Sequence, residues 1–85
     1  MAEFKVTPQT LADKAGELSK ENEKFVKAID ELVAAEKGLD KTWEGASKDA
    51  FHNEFMKDVK VCADFSTLVL SYCHTLEDIA KQYNE

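Results

Sequence analysis

The side chains able to do chemistry are few: His52, His74, Cys62, Cys73 and a large supply of carboxylates. His52-Asn53-Glu54 has the order of the His-x-Glu of zinc deaminases, in which His binds the metal and Glu moves a proton. No Pro-Cys-x-x-Cys follows it, so the remaining ligands of such a centre are missing. His74 and Asp78 stand one helical turn apart and could chelate an ion, but no further ligand falls at a matching spacing, and they read as a surface pair. Cys62 and Cys73 share a helix face, yet a continuous helix separates them by about 16 Å. A disulfide tolerates less than about 7 Å between Cα atoms, which leaves them as small core residues or as partners in a disulfide between subunits. The expectation is a protein that is not an enzyme, with no cofactor and no metal site.

The elements that must position these residues are helices. Three Gly and one Pro are too few for an all-β fold, whose turns draw on both. Thr7 can cap free amides and Pro8 suits the first helical position, where its missing N–H costs nothing. From there Leu11, Ala15, Leu18, Asn22, Phe25, Ile29, Leu32, Glu36, Leu39 and Trp43 alternate at steps of four and three, a sustained heptad seam. Asp, Glu and Lys occupy the other faces, as at Glu23 and Lys27, and read as solvated helix. The pattern breaks at Trp43-Glu44-Gly45, where Gly can take positive φ and stop the helix. A second seam runs through Phe55, Val59, Cys62, Ser66, Val69, Cys73, Leu76, Ala80 and Tyr83. The chain therefore reads as one all-α domain over 1–85, an antiparallel two-helix hairpin with helix 1 at about 8–42, a turn at 43–45 and helix 2 at about 46–83.

An antiparallel hairpin folded at Glu44 sets residue i opposite residue 88 minus i, and this rule tests one seam against the other. Ile29 falls opposite Val59, Leu32 opposite Met56 beside Phe55, and Phe25 opposite the small Ala63. The polar exceptions coincide too, Asn22 with Ser66 and Glu36 with His52. A polar group in a seam costs stability but can fix register, so both pairs read as register layers. The hairpin seam is accordingly assigned to Leu18, Phe25, Ile29, Leu32, Phe55, Val59, Cys62 and Val69.

Helix 2 carries more apolar surface than helix 1 can cover. Val61, Phe65, Leu68, Tyr72 and Ile79 form a second stripe, rotated about 100° from the first. Each large side chain is worth roughly 1.5–3 kcal/mol when fully buried, so leaving five in water forgoes much of a small domain's net stability. An 85-residue chain of 9.6 kDa is marginal as a monomer in any case. The stripe is expected to be a dimer interface that pairs hairpins into a four-helix bundle, or a groove for a larger partner's helices.

Eleven Lys, no Arg, seventeen acidic residues and a net charge of −6 argue against nucleic acid or an anionic membrane as partner, since both select a basic face. The longest strictly apolar run is four residues, Leu32-Val33-Ala34-Ala35, and the start Met1-Ala2-Glu3-Phe4-Lys5 lacks a basic segment followed by an apolar one. Neither a Sec signal nor stable membrane insertion is expected.

Trp43-Glu44-Gly45 at the midpoint of so short a chain, between two heptad helices, resembles the WXG-motif family of type VII secretion proteins, the early-secreted-antigen-like hairpins. Ala46-Ser47-Lys48-Asp49-Ala50-Phe51 fits the family's run of small residues followed by an aromatic, and Val6-Thr7-Pro8 fits its opening. The resemblance implies a helical-hairpin homodimer or heterodimer, secreted without a Sec signal from a Gram-positive bacterium through a machine driven by a multidomain ATPase. Members act as secreted factors, as co-secreted partners, or as helical adaptors for a larger toxin's N-terminal domain. Trp43, Gly45 and Phe51 are the turn motif; Trp43 reads either as a plug for the hairpin tip or as part of a secretion recognition surface. The family's C-terminal signal, Tyr followed four residues later by Asp or Glu, is not matched: Leu76 stands in that place after Tyr72, and two residues follow Tyr83. A partner chain supplying the signal, or a different C-terminal pattern, would account for this. A cytoplasmic coiled-coil adaptor with reduced cysteines is the alternative from another class.

Overall fold

The computed structural model describes residues 7–84; Met1–Lys5, the Val6 of the opening motif and Glu85 lie outside the described residues. Two helices, α1 (Pro8–Asp40) and α2 (Ala46–Asn84), make an antiparallel hairpin, with no strand among the described residues. Thr7 caps α1: its backbone is extended and its Oγ1 accepts from the Thr10 N–H at 3.0 Å, while Pro8 stands just inside. At the other end the Thr42 N–H and hydroxyl both donate to the Leu39 carbonyl at 3.0 Å, closing the last turn. Helix 1 thus ends at Asp40, two residues short of the boundary drawn from periodicity.

Gly45 has φ 111°, the only positive φ among the described residues. Its role differs from the one expected of it. It does not stop α1 but begins α2, where its carbonyl accepts from Lys48 and Asp49 at 3.1 and 3.4 Å.

The seam follows the expected heptad through Leu11, Ala15, Leu18, Asn22, Phe25 and Ile29 and then departs from it. Leu32 is 59% exposed and Val33 takes its place, followed by Glu36 and by Asp40 in place of the exposed Leu39. The cause is the pitch of a nearly straight helix. Its 3.6 residues per turn drift against a strict 3.5 repeat, which brings residues 33 and 40 inward in place of 32 and 39 while Glu36 keeps its place. The correction improves the register, because Val33 and the half-buried Phe55 satisfy the 88-minus-i rule, whereas Leu32 and Met56 are both exposed. On α2 the heptad holds from Phe55 to Ala80, and Tyr83 at its end is exposed.

What the hairpin encloses is small or polar. Among the described residues Ala15, Cys73 and Ala80 are the buried apolar ones, Asn22, Glu36 and Ser66 the buried polar ones, and no large side chain is fully buried. Both register layers form: Asn22 Nδ2 donates to the Ser66 carbonyl at 3.3 Å, and His52 Nδ1 lies 2.9 Å from Glu36 Oε2. The rod measures 61 × 28 × 16 Å, and its 16 Å depth is one helix thick. Its radius of gyration, 19.2 Å, compares with about 12 Å for a compact domain of this length. A single layer leaves every helix with one face uncovered.

Candidate functional site

Two regions stand out, the unpaired face of α2 and the closed end of the hairpin. On α2, Val61 (66%), Phe65 (54%), Leu68 (46%) and Tyr72 (54%) are exposed along one stripe. Ile79, placed on the same stripe by its spacing, is instead half-buried, beside the buried Ala80. Phe65 is not wholly free: its ring meets Phe25 edge-on across the groove, centroids 6.0 Å apart. Leu18, Glu21, Asn22, Phe25, Phe65 and Val69 line a shallow recess there whose exposed surface is mostly apolar. Ile29, Val59 and Cys62 are half-buried along the seam.

At the closed end, three aromatic rings form a row. Trp43 is tilted on Phe51 with centroids 5.6 Å apart, and Phe51 stacks on Phe55 at 6.1 Å. Phe51 and Phe55 are one turn apart on α2, while Trp43 reaches them from the turn because Gly45 reverses the chain beneath it. Trp43 is half-buried and Phe51 is 41% exposed, so the row is at once packing and surface.

Near the same end, a charged cluster crosses the helices. The Glu36 side chain is only 5% exposed, its Oε2 is paired with His52, and its Oε1 has no hydrogen-bond partner. An ionised carboxylate can only accept, so His52 Nδ1 carries the proton in this contact. The hydrogen bond to Glu36, aided by the charges of Glu36 and Asp40 and opposed by desolvation and by Lys48, raises the His52 imidazole above its ordinary value. Lys48 Nζ sits 3.6 Å from Asp40 Oδ2. Asp40 and Lys48 were not singled out from the sequence, although their numbers also add to 88 and the register rule could have paired them. The remaining ion pairs, such as Lys60–Asp64, lie along single helices, are largely exposed and contribute little.

The thiols stand apart from these groups. Cys62 is half-buried, Cys73 is buried, and both are free. His74 does not pair with Asp78; its Nδ1 lies 3.4 Å from Glu77 Oε1, with both side chains exposed. No helix among the described residues is long and apolar enough to cross a membrane.

This hairpin geometry recurs in solved structures. A secreted protein, EsxB, from Bacillus anthracis superposes with a TM-score of 0.89 at 25% identity, over 100% of this chain and 98% of that one. Its selenomethionine form matches with a TM-score of 0.88 at 25% identity, covering 99% and 96% of the two chains. A glycine-to-alanine variant of it gives 0.88 at 25% identity, over 99% and 97%. No curated protein matches by sequence. The family model WXG100, proteins of 100 residues with WXG, matches residues 3–85. With Trp43-Glu44-Gly45 at the turn of a hairpin matched over nearly its whole length, the chain belongs to the WXG100 family of type VII secretion proteins.

Proposed function

We propose that this chain is a small non-enzymatic protein exported by a type VII secretion system, and that it works as a dimer in which a second helical hairpin covers Val61, Phe65, Leu68 and Tyr72. The observation that carries this reading is a one-layer rod with no large side chain fully buried among the described residues and a row of large apolar residues exposed along one helix. Such a row in a chain this small is stabilised by a partner that brings a matching apolar face. The second hairpin is a further copy of this chain or a related protein. Secretion is supported by family membership and by the description of its structural relative as a secreted protein.

Within this reading Trp43, Gly45 and Phe51 form the end of the bundle that the secretion ATPase inspects together with a C-terminal segment of the partner chain. The half-exposed aromatic row suits that role, because it presents apolar area on a backbone fixed by two helix ends.

The test is sedimentation of the purified chain, alone and co-expressed with related hairpins, read beside its export from a strain carrying the cognate machinery. A dimer and ATPase-dependent export are expected. Export that persists without the ATPase would overturn the secretion assignment, and a stable monomer under all conditions would overturn the dimer.

A further inference from the structure

We propose that Glu36, Asp40 and His52 form a binding site for one divalent cation of the zinc class, clamping the last turn of α1 to the second turn of α2. The inference is independent of secretion and of dimerisation. One ligand atom from each of the three residues lies within 4.8 Å of the other two. Tetrahedral zinc, with bonds of about 2.0–2.2 Å, holds its ligands about 3.4 Å apart, so modest side-chain rotation closes the site. Glu36 and Asp40 are one turn apart on α1, and the register sets His52 directly across from Glu36.

The second observation is the state of Glu36. Its side chain is buried to 95% and one carboxylate oxygen has no partner. A buried acceptor left unsatisfied is costly, and more so on a charged group. His52 answers only one of the two oxygens. Cation binding would replace that hydrogen bond: the ring nitrogen of His52 releases its proton to solvent and gives its lone pair to the ion, which also bonds the Glu36 carboxylate and Asp40, and two carboxylates with a neutral imidazole balance its two charges. The mixed nitrogen and oxygen donor set selects zinc over magnesium or calcium, which take oxygen ligands. Lys48 is the competitor, since its ammonium now neutralises Asp40. The thiols are not involved, because Cys62 is ten residues further along α2, about 15 Å away.

Isothermal titration of the full chain carrying Cys62→Ala and Cys73→Ala with zinc chloride provides the test. One zinc ion per chain is expected. His52→Gln and Asp40→Asn should each weaken binding at least tenfold, Lys48→Met should tighten it severalfold, and His74→Gln should leave it unchanged. Zinc should raise the melting temperature of the unsubstituted chain and not that of Asp40→Asn. Asp40 and His52 lie at the edge of the seam, so circular dichroism will show both variants folded; should either unfold, the Lys48→Met response and the zinc-induced shift of the His52 ring resonances decide alone. Absence of binding, binding that depends on His74, or binding indifferent to Asp40 and Lys48 overturns the site.

Discussion

Glu36 and His52 face each other across the hairpin at 2.9 Å, one 95% buried at the carboxylate and the other half-exposed at the ring. Their residue numbers add to 88, as do those of Asn22 and Ser66 and of Asp40 and Lys48. Polar contacts from the tip to the middle of the rod thus obey one register. A slip of the helices by a single step would break them together, which is how a polar layer specifies alignment in a seam whose apolar residues would tolerate several.

The pair gives a pH dependence. The folded state raises the His52 value above its unfolded one, so its stabilising contribution is complete below about pH 6.5 and is lost as pH rises through the higher folded value. With a chelator present, the melting-temperature difference between the unsubstituted chain and His52→Gln should shrink from pH 6 towards pH 8. A difference that grows over that range would contradict the assigned contact.

The apolar stripe can be tested at one residue. Leu68 is exposed in the hairpin, so Leu68→Glu should leave the lone hairpin's packing untouched and convert a dimer into a less stable monomer. Analytical ultracentrifugation reads the outcome. A fully dimeric Leu68→Glu protein would remove this stripe from the interface.

Gly45 and Gly16 should respond in opposite directions to alanine. No atom lies within 4 Å of a Cβ placed at either, so the difference is purely of backbone. At φ 111° an alanine is strained, and Gly45→Ala should cost about 1–3 kcal/mol in chemical denaturation. Gly16 is inside α1, where alanine should add about 0.5–1 kcal/mol.

Trp43→Ala separates plug from signal. Full burial of such a ring would make its loss cost about 3–5 kcal/mol, and the half-burial of Trp43 places the expected loss below that range. Export measured beside thermal unfolding should fall further than the folded fraction does. Normal export of a folded Trp43→Ala dimer would leave the indole a structural plug alone.

The sequence alone determined the helices, their antiparallel pairing and the register, because each rests on local periodicity or on a simple reflection through the turn. The cap at Thr7-Pro8, the polar layers and the exposed stripe at Val61, Phe65, Leu68 and Tyr72 were all legible in this way. Only the tertiary structure decided what depends on accumulated helical drift and on side-chain reach. It replaced Leu32 by Val33, left Ile79 half-buried, set Phe25 against Phe65 and made Gly45 the start of α2. It also gathered Asp40 and Lys48 around Glu36 and His52. A heptad count cannot foresee these outcomes, since an error of about 20° per heptad moves a residue from the seam to its flank within a few turns.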